Sequence, residues 1–157
     1  MLVFRDISTL QNHLRNLKNN NKIIGFVPTM GALHKGHLSL VKKSISQNDS
    51  TVVSIFINPT QFNNVDDLKT YPSDINKDLE LLRSISDKII VFNPESDELY
   101  AGDIKPDQFN FNELDRYMEG EFRGNHFAGV ATVVSKLFSL IKADYAYFGE
   151  KDFQQLR

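Results

Sequence analysis

"KIIGFVPTMGALHKGHLSLV", residues 22–41, decides how the chain folds. Residues 22–27 are short, apolar and rich in β-branched side chains, which predicts a buried strand that Pro28 ends. Beyond the turn, Leu38, Val41 and Ile45 recur at helical spacing, predicting a helix from Gly36 to about Gln47 with those three side chains inward. A strand, a tight turn and a helix make the first half of a βαβ unit. The turn between them holds His34, Lys35, Gly36 and His37.

The same alternation runs through the rest of the chain. Ile7, Leu10, Leu14 and Leu17 predict a helix over 7–18, with Ser8 and Gln11 as its capping box. "STVVSIFIN" (50–58) and "KIIVFN" (88–93) predict two more buried strands, and "DYAYFG" (144–149) a fourth. "SDINKDLELLRSI" (73–85) predicts a helix capped by Ser73, with Ile75, Leu79 and Leu82 inward. "FAGVATVVSKLFSLIKA" (127–143) predicts a long helix. Val130, Val133, Val134, Leu137 and Ile141 form its apolar face, and Thr132, Ser135, Lys136 and Ser139 the other. Residues 94–125 are polar and predict one irregular strand, "QFNF", and a short helix; "EKDFQQLR" begins another helix. Buried strands alternating with helices imply an α/β fold with a doubly wound, Rossmann-like parallel sheet.

The chain has 157 residues, enough for one domain with a real core. Its net charge of −2 gives no global attraction to nucleic acid or to an anionic membrane, so any anion site must be local. The absence of cysteine excludes disulfides, thiolate nucleophiles and cysteine-based zinc sites. No apolar run nears the roughly 20 residues of a membrane span, and no signal peptide is visible, so a cytoplasmic protein is expected.

In doubly wound sheets ligands bind beyond the carboxyl ends of the strands. "PTMGALHKGH", "NPTQF" and "GEKD" each follow a predicted strand directly, so they are expected to converge. Two imidazoles, Lys35 and a helix N-terminus suit a phosphate. A loop of two solvated histidines is the plainer alternative, and zinc lacks cysteine or an adjacent acidic partner. Asn58 and Gln61 offer neutral amides to a hydroxyl or carboxylate, although taken alone an ordinary Asn-Pro turn accounts for them better. Lys151 suits a phosphate, Asp152 a ribose hydroxyl and Gln155 a substrate, or the segment is simply a charged helix start. Asp66, Asp67 and Asp74 suit magnesium or a solvated turn, and Arg123 and His126 either face the site or cap a loop.

The HxGH pattern in "HKGH", between a first strand and its helix, is similar to the signature of nucleotidyltransferases related to class I aminoacyl-tRNA synthetases. "PTMGALHKGHLSL", "VSIFINPTQF" and "FGEKDFQQL", in this order, closely resemble the pantoate–β-alanine ligase family over essentially the whole chain. The resemblance implies a two-step, ATP-dependent ligation of pantoate to β-alanine through pantoyl adenylate, on the route to coenzyme A. It implies an ATP segment of Met30, Gly31, Ala32, Leu33, His34, Lys35, Gly36 and His37, with His34 and His37 catalytic and His37 the proton donor. Gly149, Glu150, Lys151 and Asp152 would complete the nucleotide site, and Gln61, Gln155 and Asn58 the substrate site. Mg²⁺ would arrive on the ATP phosphates, with no metal held by the protein itself, and the chain would form a homodimer. Other HxGH adenylyltransferases and a non-catalytic nucleotide-binding module are the competing readings. Family members carry a further C-terminal lid, so residues 1–157 are expected to be an N-terminal nucleotide- and pantoate-binding domain of low activity alone. "RGNHF", "YPSD" and "LYAGD" depart from the family's usual loops.

Overall fold

The computed structural model describes residues 1–62, 64–111 and 126–150. Five parallel strands form one sheet: β1 (Leu2–Phe4), β2 (Ile24–Thr29), β3 (Ser50–Ile55), β4 (Ile90–Phe92) and β5 (Tyr145–Ala146), in the order β1-β4-β3-β2-β5. The helices are α1 (Ile7–Asn19), α2 (Lys35–Gln47), α3 (Val65–Thr70), α4 (Ile75–Arg83), α5 (Ser96–Tyr100) and α6 (His126–Ile141); a 3-10 turn spans Pro59–Gln61. Each face of the sheet buries its own cluster. Leu10 and Leu14 of α1 and Val133, Leu137 and Ile141 of α6 pack with Phe26, Val52 and Phe92 on one side. Val41 of α2 and Leu82 of α4 pack with Val27, Val53 and Val91 on the other. Burial on both faces is why these strands read as continuous apolar runs.

Strand order fixes where a ligand can lie. Successive units place β3 and then β4 to one side of β2, whereas β5 pairs on its other side. The order therefore reverses between β2 and β5, and the crevice beyond their carboxyl ends is the switch point at which such sheets bind ligands.

Several local expectations are corrected. Pro28 does not end β2 but lies within it, opposite Ser54 of β3. Pairing with β5 reaches only Phe26, so no further β5 acceptor faces the N–H that proline lacks. Asp6, not Ser8, caps α1 by accepting the Thr9 N–H at 2.8 Å, and Asp74, not Ser73, caps α4 through the Lys77 N–H at 3.1 Å. Ile45 is exposed, and Ser44 takes the inward place, bonded to Thr51 of β3 at 2.8 Å. Thr132 is fully buried, donating to the Ala128 carbonyl and accepting the Asp107 N–H. The last strand is two residues long and lies at the sheet edge, with Tyr145 58% exposed. "QFNF" forms no strand; Phe109 and Phe111 stack instead, while α5 supplies the expected short helix. Of the final segment, residues 151–157 lie outside the described residues. β1 has no counterpart among the strands expected from sequence.

Two surface carboxylates start elements of this fold and give a pH prediction. Asp6 is held below its ordinary value chiefly by the Thr9 N–H, and Asp49 chiefly by the Ile23 N–H and then by Lys22. A depressed folded-state value stabilises above the ordinary carboxylate range and is lost as pH falls through the folded-state value. Asp49→Asn should therefore reduce the slope of melting temperature against pH in the acid range, measured by thermal denaturation beside the parent chain.

Candidate active site

The turn after β2 is built from unusual backbone. Gly31 has φ +82° and Ala32 φ +49°, both left-handed. At Gly31 a Cβ would stand 2.9 Å from the Asp78 Oδ2, so the position requires glycine on both counts. Thr29 supports the turn by donating to the Ser54 carbonyl at 2.7 Å and accepting the Gly31 N–H at 3.2 Å. Asp78, buried on α4, accepts the N–H of Ala32 at 3.0 Å and of Leu33 at 2.7 Å. Burial, and then the nearby charge of Asp78, raise the Tyr71 phenol above its ordinary value.

The two histidines meet at the head of α2. His34 is the N-cap, and its Nδ1 accepts the Gly36 N–H at 3.1 Å. His37 reaches back, its Nδ1 accepting the His34 N–H at 3.4 Å. The ring centroids are 4.1 Å apart. With each Nδ1 accepting, the neutral rings carry their protons on Nε2. The sequence predicts a helix start near Gly36; the helix begins one residue earlier because a histidine, seldom a cap, closes it. Lys35 is exposed beside them, Leu33 is buried and Met30 is half-buried.

A second wall follows β3. Asn58 is fully buried at the start of the 3-10 turn. Its Nδ2 donates to the Gln61 Oε1 at 3.1 Å and to the Gly129 carbonyl at 3.0 Å. Its Oδ1 accepts from the Tyr100 hydroxyl at 2.6 Å and from the Thr60 hydroxyl at 3.0 Å. Burial raises Tyr100 above its ordinary value despite the bonds to Thr60 and Asn58, so the phenol stays a donor. These bonds tie the Asn58 amide to Gln61, Tyr100, Thr60 and α6. Gln61 faces the Met30 sulfur through Nε2, which brings the β3 turn against the β2 turn. The His126 Nδ1 lies 2.9 Å from the Gln61 carbonyl oxygen, so α6 grips the same turn.

Of the segment expected to converge from β5, Gly149 and Glu150 are described and follow that strand, beside β2. Lys151, Asp152, Gln155 and Arg123 lie outside the described residues. Asp66 and Asp67 are exposed on α3, and Asp74 is occupied as a helix cap. Among the described residues no three His, Asp or Glu side chains gather as a metal cluster. No described helix is long and apolar enough to cross a membrane. Asp78 is the residue that sequence reasoning passed over. Its signal was present: positions 75, 78, 79 and 82 share one helix face, and a carboxylate stands among three apolar residues.

A parallel sheet whose switch point carries a histidine-capped HxGH turn is a Rossmann-like α/β domain of the nucleotide-binding kind. Comparison with known proteins narrows the class. The pantoate–β-alanine ligase family profile matches residues 2–157, and the chain belongs to that family. It is 52% identical over 157 residues to the pantothenate synthetase of Christiangramia forsetii, covering 100% of this chain and 56% of that protein. It is 49% identical to that of Aquifex aeolicus, covering 99% of this chain and 55% of the relative. The pantoate–β-alanine ligase of Francisella tularensis, solved with "beta-gamma ATP" and β-alanine, superposes at TM-score 0.92 and 42% identity, covering 99% of this chain and 59% of that one. The pantothenate synthetase of Thermus thermophilus superposes at TM-score 0.88 and 39% identity, covering 99% and 54%. The chain thus spans little more than half the length of the relatives it matches.

Proposed function

We propose that residues 1–157 form the nucleotide- and pantoate-binding domain of an ATP-dependent ligase that joins pantoate to β-alanine. The observation that carries the reading is the meeting of the His34/His37 turn and the Gln61 turn through Met30, at the carboxyl ends of adjacent strands. In the first step a pantoate carboxylate oxygen attacks the α-phosphorus of ATP, and the bond to the β-phosphate oxygen breaks, giving pantoyl adenylate and pyrophosphate. In the second, the β-alanine amine attacks the acyl carbon, AMP leaves, and the amine's surplus proton is lost.

Each residue has a physical task. The N–H groups at the head of α2 and the Nε2 protons of His34 and His37 favour charge building on the phosphates. His37 is the proton donor to the departing pyrophosphate. Lys35, Lys151 and the neighbouring Gly149, Glu150 and Asp152 complete the nucleotide site. Gln61, Gln155 and Asn58 form the substrate site: the two glutamines hold pantoate by neutral amides, and Asn58 fixes the amide of Gln61 beside it. Mg²⁺ would arrive bound to the ATP phosphates and supply charge neutralisation there. We place the domain in a homodimer in the cytoplasm, and analytical ultracentrifugation would read the dimer as a doubled mass.

The test is steady-state pantothenate formation by this chain beside the same chain extended to the length of its relatives. The extended protein should form pantothenate only with pantoate, β-alanine and ATP together, and the 157-residue chain should be much slower; equal rates would refute the domain assignment. In the extended protein, Gln61→Ala should raise the KM for pantoate by about tenfold, the worth of one hydrogen bond, and leave that for ATP unchanged.

A further inference from the structure

We propose that Asp78 is a positioning residue for the nucleotide site, its carboxylate clasping the N–H groups of Ala32 and Leu33 so that the turn delivers His34 and His37 at a fixed angle. A carboxylate that is 3% exposed on the inward face of α4 is costly unless its oxygens are satisfied. Both are: Oδ2 accepts from Ala32 and Oδ1 from Leu33, two successive backbone N–H groups. Such a pair in left-handed backbone is an anion-binding nest, and here an internal anion fills it.

The geometry also explains why the acid is aspartate and why residue 31 is glycine. The Asp78 Oδ2 occupies the space that a Cβ at Gly31 would need, so the two positions are chosen together. Ala32 at φ +49° adopts a conformation that an L-residue avoids, and the two charge-assisted bonds offset that cost. The residue after Leu33 is His34, so an error in the turn passes directly to both imidazoles. Asp78 acts on the backbone of the turn through the Ala32 and Leu33 N–H groups, which makes its effect one of placement.

The catalytic arm of the test rests on the ligase reading; the spectroscopic arm does not. In the ¹⁵N-labelled chain without ligand, the Ala32 and Leu33 amides should exchange slowly, and Asp78→Asn should speed both. Fast exchange in the parent chain would overturn the clasp whatever the protein catalyses. In the protein extended to its relatives' length, Asp78→Asn should lower kcat for adenylate formation by about 10- to 30-fold, the worth of a lost charge-assisted hydrogen bond, with little change in the KM for ATP. A folded variant with unchanged kcat would overturn the positioning role. Asp78→Glu keeps the charge but is one methylene too long, so it should also lose kcat; full activity there would count against the clasp. Should neither variant fold, amide exchange in the parent chain decides. Absence of pantoate-dependent activity in the parent protein would refute the ligase reading and leave the clasp to the exchange data.

Discussion

His37→Ala should lower the rate of adenylate formation by roughly 10²- to 10⁴-fold, the range for removing a positioned acid or base. The effect belongs in kcat rather than in ATP affinity. Under the proposed function the ground-state triphosphate is held by many groups, including the N–H groups at the head of α2, which the substitution leaves in place. Only when charge builds on the departing oxygen does the Nε2 proton of His37 become indispensable. One structural consequence must be separated from this. His37 also accepts the His34 N–H, so its removal loosens half of the reciprocal cap. His37→Asn is the control, because an amide can still accept that N–H while it is a far weaker acid. Single-turnover formation of pantoyl adenylate should be slow in both variants. A normal rate in His37→Ala would remove the residue from the mechanism.

Gly129→Ala should be nearly as damaging, from a position that bears no chemistry. Gly129 lies in α6 where the helix crosses the 3-10 turn, and a Cβ there would stand 2.4 Å from the Thr60 carbonyl oxygen and 2.7 Å from the Gln61 nitrogen. Those are backbone atoms and cannot rotate aside. Ordinary van der Waals contact begins near 3.4 Å, so helix and turn must part by about 1 Å, and a displacement of that size can cost about 100-fold in turnover. The same shift pulls at the Asn58 bond to the Gly129 carbonyl and at the His126 contact with the Gln61 carbonyl. Overpacking of this kind destabilises by about 1–3 kcal/mol. The expected result is a folded protein with a lowered melting temperature and a rate loss for pantoate-dependent steps well beyond what the stability loss explains. Undiminished activity would mean that the turn tolerates the shift and that Gln61 is not held by α6.

The parallel sheet was legible because burial on both faces writes itself as apolar runs such as "STVVSI", bounded by polar residues and proline. That signal fails at the edges. β1 is three residues at the chain's start, too short to register, and β5 reads as buried although Tyr145 is exposed on the open side of the sheet. Caps slipped by one or two residues where Ser and Asp stood close together, because the exit angle of the backbone chooses between chemically similar caps. The HxGH turn and Gln61 were legible as candidates, and the structure brings their two turns together through Met30. What could not be read was support. Asp78 lies 45 residues from the Leu33 N–H it accepts, and Tyr100 lies 42 residues from the Asn58 it holds. Spacing rules describe one element at a time, whereas these contacts exist only once α4 and α5 are laid against the turns. The bonds of Asn58 have the same character: the Gly129 carbonyl that its amide reaches lies 71 residues away and meets it only once α6 is laid against the turn.

The most direct measurement of the central claim is exchange of labelled pyrophosphate into ATP by the protein extended to its relatives' length. Under the proposed function, adenylation is the step that the His34/His37 turn and Gln61 jointly serve, and it is reversible before β-alanine is added. Exchange should be absent with ATP alone, appear on addition of pantoate without β-alanine, and fall sharply in His37→Ala. Exchange that ignores pantoate, or that phosphopantetheine supports in its place, would contradict the account.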